Sequence, residues 1–420
     1  NPVFLIRTDG HAVWVNINAM IAAGITPDTQ EPEGGRILKS KEGEPTGIFI
    51  DNAMNLIERA RKELTIEQKE EAILAALNKL TVYGITEIHD MGVDEDVIKI
   101  YKKLVDENRL PVRIYAFIDG PGKTWDSYKD KEPLVYGNDF LTIAGLKLYV
   151  DGALGSRGAA LIEPYSDDPG NRGLTTLTES ELQRYTEEAL KNHFQVAVHA
   201  IGDRGNNIVL TAYEKAMKNV SIKDARLRIE HAQIIHPDDI KRFSELKVIP
   251  SMQPIHATSD MYWAESRLGS KRLKTAYAWN SLIKSGCVIP GGSDFPIESP
   301  DIIANFYAAV TRKDKNGVPS SWNQHKSHFI YSNDLDTSNF NNGWYAEEKM
   351  SRNDALKAFT LWGAYAAKQE KIKGTIEEGK YADFIILSDN ILEADEPSIL
   401  GIKILQTIVN GKTTFKTDKN

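Results

Sequence analysis

The chain has 420 residues, a formal net charge of −8 and a pI near 5.7. The charge is spread through mixed acidic and basic stretches, with no basic stripe to track a phosphate backbone, so no nucleic-acid partner is expected. Cys287 is the only cysteine, which rules out an internal disulfide framework or a cysteine-rich zinc site within one chain and leaves histidine and oxygen as metal ligands. No apolar run reaches membrane-spanning length, and the opening NPVFLIRTDGH lacks a leader pattern. The expectations are no membrane partner and a cytoplasmic location.

Residues 1–64 mix short apolar runs with turn chemistry, as in GRILKSKEGEPTGIFID, where KEGEP separates two strand-like segments. They read as a small hairpin-bearing subdomain. Thr65 and Gln68 form a capping-box start for a helix ending at Gly84, and the strand ITEIHDMG follows. The same helix-then-strand grammar recurs. VIKIYKKLVDENRL precedes PVRIYAFID, and ELQRYTEEALKNH, opened by Thr178 and Glu181, precedes FQVAVHA.

Seven barrel-like strands are predicted, near 86–91, 112–117, 143–149, 195–199, 226–231, 247–252 and 286–291. A closed parallel barrel needs eight. The fold class is thus α/β, a distorted (β/α)8-type barrel over 65–368 whose first strand is absent from this chain. Residues 313–348 form a long polar and aromatic loop, read as a lid or surface excursion. Ser351 and Asp354 open the helix DALKAFTLWGAYAAKQ, and residues 369–420 carry two glycine-punctuated strands that read as a small β domain.

The chemistry collects where apolar strands end. QVAVHA gives His199, RLRIEHAQ gives His231, VIPGGSDFP gives Asp294 and GLKLYVDG gives Lys147. In a parallel barrel those ends, with their loops, form the active-site face. Neutral imidazoles with a carboxylate make an open hydrolytic metal site. A lone histidine is more often a satisfied core residue, but two at equivalent strand ends with Asp294 in phase reverse that reading.

Lys147 lies mid-strand, where burial lowers the amine's pKa and favours a nucleophile. It could add carbon dioxide to become a carbamate ligand or form a Schiff base. The structural alternative is an ion pair with Asp151, Glu87 or Asp90. Asp294 could instead cap the next turn. Arg157 and Arg204 would hold a substrate carboxylate or brace loops. His89 and His256 are further substrate-contact candidates, whereas His11 lies outside the recognisable barrel and is assigned a solvated or capping role.

Quoted in order, RTDGHAVWVN, GEPTGIFID, KLYVDGALGSRGAAL, VAVHAIGDRGN, RIEHAQII, SMQPIHA, GGSDFPIE and GTIEEGKYADFIIL resemble the amidohydrolase superfamily, specifically its YtcJ-like, amidohydrolase-3 branch. The resemblance spans nearly the whole chain. It implies a metal-dependent hydrolase that cleaves a non-peptide, amide-type carbon–nitrogen bond of a small molecule with metal-activated water. It also implies a small β domain built from both chain ends.

Carried over, Lys147 would be the carboxylated lysine, His199 and His231 metal ligands, and Asp294 a ligand and acid/base. His231 would also help to stabilise the oxyanion. The cofactor would be one or two divalent ions, zinc by ligand type, and a homodimer fits the reading. The family's HxH pair is absent from this sequence, so the expectation is an N-terminally incomplete chain with a weakened metal site. Two other classes compete: a metal-free Schiff-base barrel using Lys147, and a degenerate barrel kept as a binding or structural protein.

Overall fold

The two capping boxes form as the sequence dictates. Thr65 accepts from the Gln68 N–H while the Gln68 side chain accepts from the Thr65 N–H, starting the helix Ile66–Val82. Thr178 and Glu181 do the same for the helix Glu179–Lys191. Each exchange satisfies two helix-end donors that would otherwise be orphaned. The computed structural model describes residues 1–7, 10–58, 60–61, 63–318 and 342–417. The expected lid or excursion at 313–348 falls largely outside the described residues.

Fourteen strands are placed among the described residues. β1 (Phe4–Ile6), β2 (Ala12–Val15), β3 (Gly35–Lys39) and β4 (Pro45–Asp51) form an antiparallel sheet in the order β1-β2-β4-β3. The KEGEP turn joins β3 to β4. Period-2 alternation turns Val13, Val15, Ile37 and Phe49 onto a core of their own with Ala19 and Ile57.

The main sheet holds β5 (Glu87–Val93), β6 (Arg113–Asp119), β7 (Leu134–Tyr136), β8 (Leu141–Tyr149), β9 (Gln195–Ala200), β10 (Arg228–His231) and β11 (Ile249–Ser251). Its parallel order is β11-β10-β9-β8-β6-β5, curled into a half-barrel, with β7 antiparallel on β8. The last three strands, β12 (Phe384–Leu387), β13 (Ile404–Val409) and β14 (Lys412–Lys416), make a separate antiparallel sheet.

The pleat sorts the main strands into two faces. Ile114, Ile118, Leu146, Leu148, Val196, Val198 and Ile229 pack in the large core, away from the concave face. On that face Tyr115, Phe117, Ala144 and Ala197 meet Ala367 in a small apolar cluster, accompanied by the buried polar side chains Lys147, Gln195, His199, Arg228 and Glu230. The N-terminal strand ends are plugged. Gln195 Nε2 donates to the Ala366 carbonyl at 2.9 Å, Gln369 Nε2 to Thr142 Oγ1 at 3.2 Å, and Lys373 pairs with Glu87.

Two expectations need correction. Residues 286–291 do not make a full seventh strand: they meet β11 at a single bridge, Met252 with Gly291. Pro290 has no N–H to give a ladder, and the Gly291 N–H goes to the Ala358 carbonyl at 2.9 Å. That same bond accompanies the second correction, because DALKAFTLWGAYAAKQ splits into Arg352–Ala358 and Leu361–Ala366. Phe359 there packs against Gly291 so closely that a Cβ would come within 2.8 Å of the ring. The N-terminal strands and the C-terminal strands form separate sheets.

Candidate metal centre

β9 and β10, with the helix Pro254–Asp260 that follows β11, deliver side chains to one cavity of about 680 Å³, open mouth included, lined by His11, His199, His231, His256 and Asp294. Backbone conformation aims several of them. β10 ends in two positive-φ residues, His231 (φ 74°) and Ala232 (φ 42°), and Asp294 adopts φ 58°. Non-glycine residues seldom occupy that region, and they persist there when the surrounding fold over-determines them.

His231, His256 and Asp294 each offer a ligand atom, and these atoms lie within 4.8 Å of one another. Two glutamines orient the imidazoles. His231 Nδ1 lies 2.8 Å from Gln253 Oε1, so it carries the proton and leaves Nε2 as a lone-pair donor. His256 Nδ1 lies 3.3 Å from the Gln233 amide nitrogen Nε2, and its own Nε2 is buried with no hydrogen-bond partner. With the Gln233 amide turned to present its oxygen, Nε2 becomes the lone-pair edge.

His199 ends β9 with its ring centroid 4.7 Å from that of His231. Its Nε2 is 3.5 Å from Asp151 Oδ1 and has no directional hydrogen bond. Asp151 in turn accepts three backbone N–H groups, from Ala160, Ile201 and Gly202 at 2.9, 3.0 and 2.8 Å.

Burial sets the protonation of the cluster. Loss of solvation pushes His231 and His256 down to about 4 and His199 well below the usual imidazole range, so all three are neutral at physiological pH, the form that binds metal. Burial raises the Asp294 carboxyl, an effect opposed by His256 and Lys147. Lys147 is only 3% exposed, and burial lowers its amine to about 8 against the pull of Glu230 and Asp294. The fit to a divalent cation is good, because orphaned buried imidazole nitrogens and a carboxylate converge on one space.

The structure therefore gathers Lys147, His199, His231, His256 and Asp294 in one region, with His256 rather than His199 or Lys147 completing the ligand-spaced group. Lys147 makes none of its three suggested ion pairs. Asp151 faces His199, Glu87 pairs with Lys373, and Asp90 accepts from Tyr101 at 2.5 Å.

Arg157 and Arg204 do not line the cavity. Arg157 is committed to Asp167 by two hydrogen bonds of 3.0 and 2.9 Å, and Arg204 donates to the Arg172 carbonyl. His89 is also placed elsewhere. β5 runs on to Val93, which leaves His89 in mid-strand between Glu87 (3.3 Å) and Arg228 (2.9 Å).

Sequence reasoning missed His11, which lines the cavity with its ring 4.8 Å from that of His199, and its partner Asp51. The motifs RTDGH and GEPTGIFID contain both, but nothing local in either assigns a role. Asp260, Glu298 and Trp263 on the cavity wall were missed as well.

The model of the amidohydrolase family matches residues 1–415. A putative amidohydrolase, YtcJ, of Bacillus subtilis is 33% identical over 423 residues, covering 99% of this chain and 74% of that protein. The protein LONG AFTER FAR-RED 3 of Arabidopsis thaliana is also 33% identical, over 429 residues, covering 99% of this chain and 69% of that protein. Among solved structures, an uncharacterized metal-dependent hydrolase from Pyrococcus horikoshii superposes with a TM-score of 0.74 at 28% identity. That match covers 94% of this chain and 73% of the other.

Proposed function

The chain belongs to the amidohydrolase family, and on that premise we propose that it is a divalent-metal-dependent hydrolase acting on the carbon–nitrogen bond of small amide-type molecules. One observation carries the reading. His231, His256 and Asp294 present ligand atoms within 4.8 Å of one another, and the fold has left the Nε2 atoms of His199 and His256 buried without hydrogen-bond partners. The nitrogen and oxygen donor set favours zinc.

His231, His256 and Asp294 would hold the cation, with His199 beside them. Once bound, it supplies Lewis acidity and lowers the pKa of water. The chain's own groups then move the proton. Asp294, on the cavity wall with a carboxyl raised by partial loss of solvation, takes a proton from the attacking water and returns it to the leaving nitrogen. Lys147 is assigned as a carbamate-bearing ligand. Burial leaves part of its amine neutral near physiological pH, and the neutral form is the one that adds carbon dioxide. Glu230 and Asp294 favour the ammonium form, so the carbamate depends on a cation beside it.

The test is to load the chain with zinc and follow hydrolysis of a panel of N-formyl and N-acetyl amines. Asp294→Asn keeps the volume and an acceptor oxygen but cannot shuttle a proton, so turnover should fall by roughly 10²–10⁴-fold with metal content retained. Unchanged turnover in this variant would remove the proton-transfer role. Absence of metal uptake by the parent chain would remove the reading altogether.

A further inference from the structure

Among the described residues that line the cavity are three carboxylates, Asp260, Asp294 and Glu298, and no lysine or arginine. Two of these carboxylates come with the ligands. His256 and Asp260 lie four residues apart on the helix Pro254–Asp260, a spacing that puts both on one face with Cβ atoms about 5–6 Å apart. Glu298 follows Asp294 by the same interval, through a turn closed by the Ile297 N–H on the Asp294 carbonyl at 2.7 Å. The elements that supply His256 and Asp294 thus each add a carboxylate to the wall. Asp260 is the last residue of its helix, where the negative end of the dipole disfavours a carboxylate, so the helix itself gains nothing from it.

Hydroxyls hold both carboxylates in place. Tyr277 OH donates to Asp260 Oδ2 at 2.5 Å, and Ser259 Oγ donates to Glu298 Oε1. A hydroxyl fixes a carboxylate without neutralising it, and among the described residues neither carboxylate forms an ion pair. Burial raises both carboxyls, Asp260 to about 7, where Tyr277 and Arg7 oppose the rise and Glu298 adds to it. Arg7 and Arg267 stand outside the lining, and Arg267, 5.7 Å from the Trp263 ring centroid, is paired with Asp167. Leu154, Trp263 and Ile297 give the wall an apolar stretch that suits an alkyl chain. His256, 9% exposed, and His199, 2% exposed, line the same cavity with Nε2 atoms that lack hydrogen-bond partners, which marks the space as one that holds a ligand.

We propose that Asp260 and Glu298 form an ammonium subsite, so that the preferred substrates are amides carrying a protonated primary amine a short alkyl chain away from the scissile bond: monoacylated diamines. This inference rests on the reading of the cavity as a hydrolase site and narrows its substrate class. It also reverses the expectation of a guanidinium holding a substrate carboxylate. Arg157 and Arg204 lie elsewhere, and a carboxylate on the substrate would meet like charge.

The experiment offers the zinc-loaded chain three probes of similar shape: N-(ω-aminobutyl)acetamide, its neutral isostere N-pentylacetamide, and the anionic ω-acetamidopentanoate. Turnover is measured for each and binding is followed by calorimetry, with zinc content and thermal midpoint recorded for every variant. The parent should prefer the cationic probe to the neutral one by about 10–100-fold in kcat/KM, the scale of hydrogen bonds to a charged group, and should turn over the anionic probe least. Asp260→Asn and Glu298→Gln keep an oxygen for Tyr277 and Ser259 but remove the charge. Each should cut the preference severalfold, and the double variant should abolish it, whereas a purely structural loss would lower all three probes together.

Equal or faster turnover of the neutral or anionic probe by the parent overturns the inference, as does a preference that survives in the double variant. Loss of zinc from the double variant overturns it too, because the pair would then be metal ligands. Should the double variant not fold, the two single variants carry the comparison. If the parent hydrolyses none of the three probes, the hydrolase reading fails and calorimetry decides the subsite. It stands only if the parent binds the cationic probe more tightly than the neutral one and the charge-removing variants lose that difference; absence of any binding overturns it.

Discussion

The two ends of the same parallel sheet hold the same kinds of side chain and satisfy them differently. At the N-terminal end His89 is held between Glu87 and Arg228, Lys373 pairs with Glu87, and Arg228 donates to Ser251 Oγ at 2.9 Å. Arg228 also lies 2.8 Å from Glu230, a charge contact outside hydrogen-bond geometry. The segment around Ala366–Lys373 closes this end. At the C-terminal end His199 and His256 are just as enclosed, yet their Nε2 atoms lack hydrogen-bond partners and a cavity lies above them. Residue type and burial are alike at both ends. The unsatisfied atom facing open space separates a site from a strut.

The comparison breaks first at the strut. Glu87→Gln leaves Lys373 buried beside an uncharged partner, and breaking a buried pair from one side costs about 3–5 kcal/mol. Urea unfolding should register that loss while zinc content per folded molecule stays at the parent's level. A variant that keeps its stability but loses metal would place Glu87 in the metal site's support and dissolve the contrast.

A second test uses pH on the metal-free chain. The folded values of His231 and His256, about 4, lie below the unfolded histidine value near 6.5. The unfolded chain therefore binds more protons between roughly pH 4 and 6.5. Stability from these groups is complete above that window and is lost as pH falls through it, by up to about 3 kcal/mol per histidine. His256→Gln should lose correspondingly less stability between pH 7 and pH 4, read from urea midpoints. A pH dependence identical to the parent's would mean that His256 is already solvated.

The smallest effect sharpens the contrast at the site itself. Gln253 touches His231 through Nδ1 and so orients a ligand without being one. Gln253→Ala should weaken zinc binding by about 10–100-fold, measured by competition with a chromophoric chelator, while moving the melting temperature little. Unchanged affinity would show that the strand end alone fixes the imidazole.

Much of the framework was legible because it depends on near neighbours. The Thr65–Gln68 and Thr178–Glu181 boxes are three-residue patterns and form as read. Six of the seven expected parallel strands are present, within a few residues of their expected bounds. His199 and His231 reach one cavity because strand ends on one side of a parallel sheet share a face. His89 misled because a strand's end cannot be fixed from an apolar run alone, and β5 continues to Val93.

What the sequence determined by itself was local: helix starts, strand alternation, and the residue types available at each strand end, all set by interactions within a few positions. Only the tertiary structure decided which of those residues would have partners. Lys373 satisfies Glu87 from 286 residues away, the Ala358 carbonyl takes the Gly291 N–H and is joined by a break in an otherwise helical pattern, and Asp51 holds His11 across 40 residues from a pocket between Gly152 and Gly158. The physical reason is that the cost of burying a polar group depends on what meets it in space, and hydrophobic periodicity carries no record of that.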